Sequence, residues 1–137
     1  MNDVTSQRCV LIVEDEMSLA LLLEDILEDA GYRVLKAARL PAAVALAESA
    51  PIDGAILDIN LAGTEAFPAA DVLRARGIPF LFTSGYGCKG LPPRYQQSPM
   101  LQKPYDHAQL RKALATLFAD ETDTSGPPRT QASDDES

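Results

Sequence analysis

The sequence predicts an α/β fold: a doubly wound, five-stranded parallel sheet with helices on both faces. Two observations carry this. Short continuous apolar runs, such as residues 8–13 (RCVLIV) and 78–83 (IPFLFT), recur along the chain and suit strands buried on both faces. Between them lie stretches with helical periodicity, so that strand and helix alternate as a repeated β-α unit. A length of 137 residues fits one domain with a core of its own.

Taken in order, residues 8–13 form the first strand. In EDEMSLALLLEDILEDAG, residues Leu19, Leu22, Leu23, Ile26, Leu27 and Ala30 recur at the spacing of one helical face, and Gly31 ends that helix. YRVLKA is the second strand. LPAAVALAES is the second helix, with Pro41 in its first turn, where a missing N–H costs nothing. DGAILDI is the third strand, and EAFPAADVLRARG a helix entered near Pro68 and stopped by Gly77. IPFLFT and PMLQ are the fourth and fifth strands. The stretch between them, GYGCKGLPPRYQQS, carries three glycines and the Pro92-Pro93 pair, so any helix there is short or irregular. The last helix, YDHAQLRKALATLFA, places Leu110, Ala113, Leu114, Leu117 and Phe118 on one face. Asp106 is its N-cap, with Gln109 three residues on as in a capping box.

Composition narrows the function classes. The net charge of -8 argues against nucleic acid as a direct partner. Much of it sits at the end: residues 119–137 hold six acids against Arg129 alone, leaving -3 for the rest. That segment lacks apolar periodicity, so residues 120–137 are expected to be a disordered acidic tail, 8–119 the folded domain and 1–7 a flexible N-terminus. Cys9 and Cys88 belong to no metal-spaced cluster, and no export signal is visible. A reducing cytoplasm is therefore expected. No apolar stretch approaches the roughly 18 residues that a bilayer requires. The single His107 begins a helix and cannot support a histidine-based zinc site or a Ser-His-Asp triad alone.

One motif points elsewhere. Gly85, Gly87 and Gly90 have the G-x-G-x-x-G spacing of a dinucleotide-binding turn. In such a unit the glycines follow the first strand, open a regular helix and precede an acid that binds ribose. Here they follow the fourth strand, run into two prolines, and the next acid is Asp106. The context rejects nucleotide binding.

In a parallel doubly wound sheet, function collects at the carboxyl ends of the strands. Glu14, Asp15 and Glu16 follow the first strand, and Asp58, Ile59 and Asn60 close the third. Thr83 and Ser84 close the fourth, and Lys103-Pro104 follow the fifth. Glu16 reads as a solvated cap. The other carboxylates repel one another, so the site needs a cation, and hard oxygen ligands suit Mg²⁺ better than Zn²⁺. A carboxylate there can attack phosphorus, giving an acyl phosphate, if metal and lysine neutralise the phosphoryl oxygens.

The segments VLIVEDE, AILDINL, PFLFTSG and LQKPY resemble the four signature segments of the receiver domain of bacterial two-component response regulators, over about residues 8–119. The resemblance implies a flavodoxin-like (βα)5 fold with strand order 2-1-3-4-5. It implies that Asp58 is the phosphoacceptor, Ser84 the switch hydroxyl and Lys103 the phosphoryl contact, with Thr83 a decoy beside Ser84. Mg²⁺ would be held directly by Asp15, largely through water by Glu14, and also by Asp58 and the backbone carbonyl of Asn60. A cis bond before Pro104 would aim the lysine. The phosphodonor would be a phosphohistidine on a sensor kinase or histidine phosphotransfer protein. The protein would catalyse only its own phosphorylation and dephosphorylation, and would act on a downstream protein target.

Two departures qualify that pattern. Many receivers carry an aromatic three residues before the lysine, and here that position is Met100. Tyr86 and Tyr105 are the nearby aromatics, and FTSGYG resembles the loop of a subgroup of stand-alone receivers. Only about 18 residues follow the last helix, too few for a DNA-binding domain. A single-domain regulator is therefore expected, with Leu21 beside Met17 as a contact for a kinase helix. Two alternatives are a phosphate-independent interaction module and a small Mg²⁺-dependent phosphohydrolase. The hydrolase would want a second Asp two residues after the nucleophile, where this chain has Asn60.

Overall fold

The computed structural model describes residues 8–61, 63–85 and 91–125, with 119–125 described by their backbone alone. Strands β1 (Cys9–Val13), β2 (Arg33–Ala37), β3 (Gly54–Asp58), β6 (Phe80–Ser84) and β7 (Met100–Gln102) form one parallel sheet in the order β2-β1-β3-β6-β7. Counted within that sheet, the order is the expected 2-1-3-4-5. Two further strands, β4 (Asn60–Leu61) and β5 (Thr64–Glu65), make a small antiparallel hairpin. The chain goes from β1 outward to β2, then returns to place β3 on the other side of β1. The crevice over the ends of β1 and β3 is thus the topological switch point.

Helices α1 (Met17–Asp29) and α4 (His107–Ser125) cover one face, and α2 (Leu40–Ser49) and α3 (Phe67–Ala75) the other. Strand alternation divides the core between them. Val10, Ile12, Ile56 and Leu81 meet Leu23, Ile26 and Leu27 of α1 and Leu110, Leu114, Leu117 and Phe118 of α4. Leu11, Val13, Ala55, Leu57 and Phe82 point the opposite way, into a cluster with Ala43, Ala47, Ala69, Ala70 and Leu73. Every residue of β1 and β3 is buried, which is why β1, and β3 as far as Leu57, read as apolar runs.

The helix ends follow the expected chemistry. Gly31 (φ 98°) and Gly77 (φ 74°) take the left-handed conformation that closes α1 and α3. Each sits in a Schellman motif: the N–H of Tyr32 donates to Leu27 O and that of Ile78 to Leu73 O, both at 2.9 Å. At the start of α4, Gln109 N–H donates to Asp106 Oδ1 (2.8 Å) and Asp106 N–H to Gln109 Oε1 (2.9 Å), a complete capping box.

Three details differ from the sequence reading or sharpen it. In α1, Leu22 and Ala30 leave the buried stripe while Ala20 joins it. The stripe is centred on Leu23, Ile26 and Leu27; Leu22 turns instead toward a cleft beside α4, and Ala30 is already the C-cap. Between β6 and β7 the described residues hold a single 3₁₀ turn, Pro93–Tyr95, as the paired prolines demand. Finally, α4 runs to Ser125, past the boundary at 119 drawn from composition. No glycine or proline interrupts it before Gly126-Pro127. The expected flexible N-terminus (1–7) and the remainder of the tail (126–137) lie outside the described residues, as does Cys88.

Gly54 fixes how closely α4 approaches the sheet. A Cβ there would stand 2.8 Å from Phe118 Cζ and 3.0 Å from Cε1. Phe118 cannot swing aside, because it stacks on Tyr32 (5.5 Å between centroids) with the Arg8 guanidinium 4.7 Å above it. Gly54→Ala is expected to lower stability by roughly 1–3 kcal/mol through overpacking. Urea unfolding checks this: adding Phe118→Leu should recover part of the loss, whereas additive losses would place the strain elsewhere.

Candidate functional site

The strand ends bring charged groups to the switch point. Backbone pairing carries on past β1, where Glu14 N–H donates to Ala37 O (3.0 Å), and past β3, where Ile59 N–H donates to Thr83 O (3.0 Å). Glu14 (3% exposed) and Asp58 (6%) are thereby held as buried carboxylates, and Asp15 beside them is exposed. One ligand oxygen from each of Glu14, Asp15 and Asp58 can be chosen so that all lie within 4.8 Å of one another. Lys103 follows β7, and its N–H donates to Ser84 O (2.8 Å), which ties the lysine to the end of β6. Its Nζ donates to Asp58 Oδ2 at 3.1 Å and Glu14 Oε1 at 3.3 Å. The Lys103–Pro104 peptide is cis.

The remaining carboxylate oxygens are met by backbone. Glu16 N–H donates to Glu14 Oε2 (3.1 Å), and Asn60 N–H to Asp58 Oδ1 (3.3 Å). Glu16 itself is the exposed N-cap residue of α1. The Asn60 side chain turns away to accept from Gly63 N–H (2.8 Å), pinning the β4–β5 hairpin beside the site.

Electrostatics make this an unsatisfied arrangement. Two unit charges at this separation repel by roughly 3–4 kcal/mol at an effective dielectric near 20. Burial, and then the charge of Asp58, push the Glu14 carboxyl up to about 7, against the Glu16 N–H and Lys103, which favour its ionised form. Burial also works against the Lys103 charge, yet hydrogen bonds and charges from Asp58 and Glu14 outweigh it and hold the ammonium above its ordinary range. One lysine cannot neutralise three carboxylates. The all-oxygen donor set and the surplus negative charge fit a hard divalent cation such as Mg²⁺.

A sequence model of the response regulator receiver domain matches residues 10–115. The chain belongs to this family. The solution structure of SdrG from Sphingomonas melonis Fr1 is 39% identical, with a TM-score of 0.72 over 82% of this chain and 97% of that one. The receiver domain of sensor histidine kinase PA1611 from Pseudomonas aeruginosa PAO1 is 25% identical, with a TM-score of 0.73 over 82% and 98% of the two chains. Its crystal structure holds a magnesium ion coordinated in the active-site cleft. Chemotaxis protein CheY4 of Vibrio cholerae is 27% identical, with a TM-score of 0.68 over 81% and 98%. No curated protein sequence matches the chain. Receiver domains bind Mg²⁺ at an acidic pocket and interact with histidine kinases or phosphotransfer proteins.

Within this receiver, Glu14, Asp15, Asp58 and Lys103 come together, Asn60 adjoins them, and Thr83 and Ser84 are buried at the end of β6, Thr83 in register with Asp58. Tyr86 lies outside the described residues. Met100 is half-buried against the cluster under α2 and α3, whereas Tyr105 packs into the cluster under α1 and α4. The sequence reading missed the hydroxyl of Tyr105, which is buried with no partner among the described residues. It also missed a cleft of about 380 Å³ lined by Leu19, Leu22, Ile26, Pro104, Tyr105 and His107. Its available signal was Leu22, counted there as core.

The raised Glu14 pKa has a defined sign. The fold favours the protonated acid, so the native state holds more protons than the unfolded chain between about 4.5 and about 7. Metal-free protein should therefore lose stability as pH rises through that window, by on the order of 2–3 kcal/mol. Urea midpoints at pH 5 and pH 8 test it. Glu14→Gln should flatten the difference, and Mg²⁺ should stabilise the wild type more at the higher pH. An equal Mg²⁺ effect at both would contradict the assignment.

Proposed function

We propose that this receiver takes a phosphoryl group onto Asp58 from a phosphohistidine, and that the acyl phosphate gates its binding to a protein target or passes onward. The observation that carries the reading is the convergence of Glu14, Asp15, Asp58 and Lys103 at the switch point of the sheet. An Asp58 oxygen attacks phosphorus as the P–N bond breaks, and the bond's electron pair leaves on the imidazole. Lys103, already on Asp58 Oδ2, is placed to follow the charge onto the phosphoryl oxygens. A Mg²⁺ held by Glu14, Asp15, Asp58 and the Asn60 carbonyl would supply further neutralisation of those oxygens. Asn60 N–H keeps the carboxylate of Asp58 oriented. Ser84 is the hydroxyl that registers the new group, drawing the end of β6 toward it. Hydrolysis returns the carboxylate, and no separate substrate is turned over.

The phosphodonor is a sensor kinase or histidine phosphotransfer protein presenting a helix. Met17, Leu21 and Leu22 stand 71%, 47% and 49% exposed on α1, and Leu22 lines the apolar cleft next to Lys103. Exposed apolar side chains on α1, with an apolar cleft bordered by Lys103, suit an amphipathic helix carrying the histidine.

Two experiments test these steps. Intact mass after incubation with Mg²⁺ and acetyl phosphate should show one phosphoryl adduct that decays with time. Asp58→Asn or EDTA should abolish it; an adduct surviving in the Asp58→Asn variant would overturn the assignment. Leu22→Glu should slow transfer from a phosphohistidine protein tenfold or more while leaving labelling by acetyl phosphate near normal. Equal slowing with both donors would mean that the substitution damages the site rather than the docking.

A further inference from the structure

Tyr95 heads the fully buried side chains in size, and its outer end is polar. Its ring stacks on Phe67 (5.9 Å, 17° between planes) and meets Phe80 (5.8 Å) and Phe82 (5.3 Å) edge-on. Its hydroxyl donates to Asp71 Oδ1 on α3. The same carboxylate receives a forked pair from Arg94, Nε to Oδ1 at 3.0 Å and Nη2 to Oδ2 at 3.1 Å. Arg74 closes the network by donating to Arg94 O (3.1 Å), and the Arg94 and Arg74 guanidiniums lie 5.0 and 5.6 Å from the Tyr95 ring centroid. The 3₁₀ turn is thus latched onto α3, with a dry inner end and an outer end in solvent.

The inner end rests on the strand that finishes at Ser84. Phe80, Phe82 and Ser84 follow the two-residue period of one strand face. Phe82 is wholly buried, and a close-packed interior cannot absorb a shift of its ring without moving the Tyr95 ring against it. Met100, in register with Phe82, offers no ring that could take this part. The latch is not a pH device. The Arg94 hydrogen bonds, with Tyr95 adding to them, hold the Asp71 carboxyl below its ordinary range, so it stays ionised through neutral pH.

We propose that the Tyr95–Asp71–Arg94 latch is an output element of the phosphorylation switch: movement of Ser84 toward an occupied Asp58 is carried by Phe82 to Tyr95 and changes the latch on the exposed face of α3 and the 3₁₀ turn. This rests on the phosphoacceptor reading above, and the test separates the two.

The full chain, labelled with ¹⁵N-arginine, is titrated with beryllofluoride and Mg²⁺ as a stable phosphoryl mimic. A bound ¹⁹F signal reports occupancy, and the Nε–Hε peak of Arg94, assigned with Arg94→Ala, reports the latch. That peak should move by more than its linewidth on binding. In Tyr95→Phe the mimic should still bind while the Arg94 shift is lost, and Asp71→Asn should give the same result by breaking the other end. A bound ¹⁹F signal with an unmoved wild-type peak, or an undiminished shift in Tyr95→Phe, overturns the latch and leaves the phosphoacceptor intact. Absence of any bound signal overturns the phosphoacceptor, and the latch proposal falls with it.

Discussion

The repulsion between Glu14 and Asp58 is the constraint around which this structure is arranged. Two buried carboxylates share one ammonium, and the resting protein tolerates them because neighbouring strands fix their backbones. Neither acid could hold this position on a loose loop, since a solvated alternative would always be lower in free energy. β1 and β3, buried along their whole length, supply the rigidity. The continuous apolar runs are therefore as much a part of the site as the acids that follow them.

The same arrangement explains why stability and function pull in opposite directions here. Replacing either acid by an amide would relieve repulsion, yet that surplus negative charge is what suits the site to a divalent cation. Lys103 occupies a middle position. It is too small a charge to settle the cluster, and its bonds to both acids hold it between them.

Most of the fold could be read from local patterns, because those patterns act locally. Gly31 and Gly77 end helices through their own backbone conformation, and Asp106 caps with a residue three positions away. The site was legible for a related reason. In a parallel sheet all strand ends meet at one edge, so residues distant in sequence are placed together by topology alone. What could not be read depends on which neighbour covers a given face. Leu22 has the spacing of a core residue, and only the position of the chain after Lys103 decides that it borders a cleft. Tyr95 and Asp71 are 24 residues apart on segments with no shared period, so nothing local announces their bond. The buried hydroxyl of Tyr105, unpartnered among the described residues, is equally invisible, because Phe would satisfy the same apolar pattern.

The sheet also divides the labour of the two faces. The cleft beside α1 and the exposed Met17, Leu21 and Leu22 lie on the side of Leu23, Ile26 and the α4 stripe. Tyr95, Phe67 and Phe82 lie on the opposite side, under α2 and α3. A partner seated on the first face need not touch the second, and only residues in the sheet itself bridge them. Asp58 and Ser84 are such residues: they end β3 and β6, strands whose Leu57 and Phe82 belong to the cluster that holds Tyr95. On the proposed function, a phosphoryl group on Asp58 would act through these strand ends on the layer opposite the proposed docking face. Donor and target could then use different surfaces of one small domain, and neither would have to leave for the other to bind.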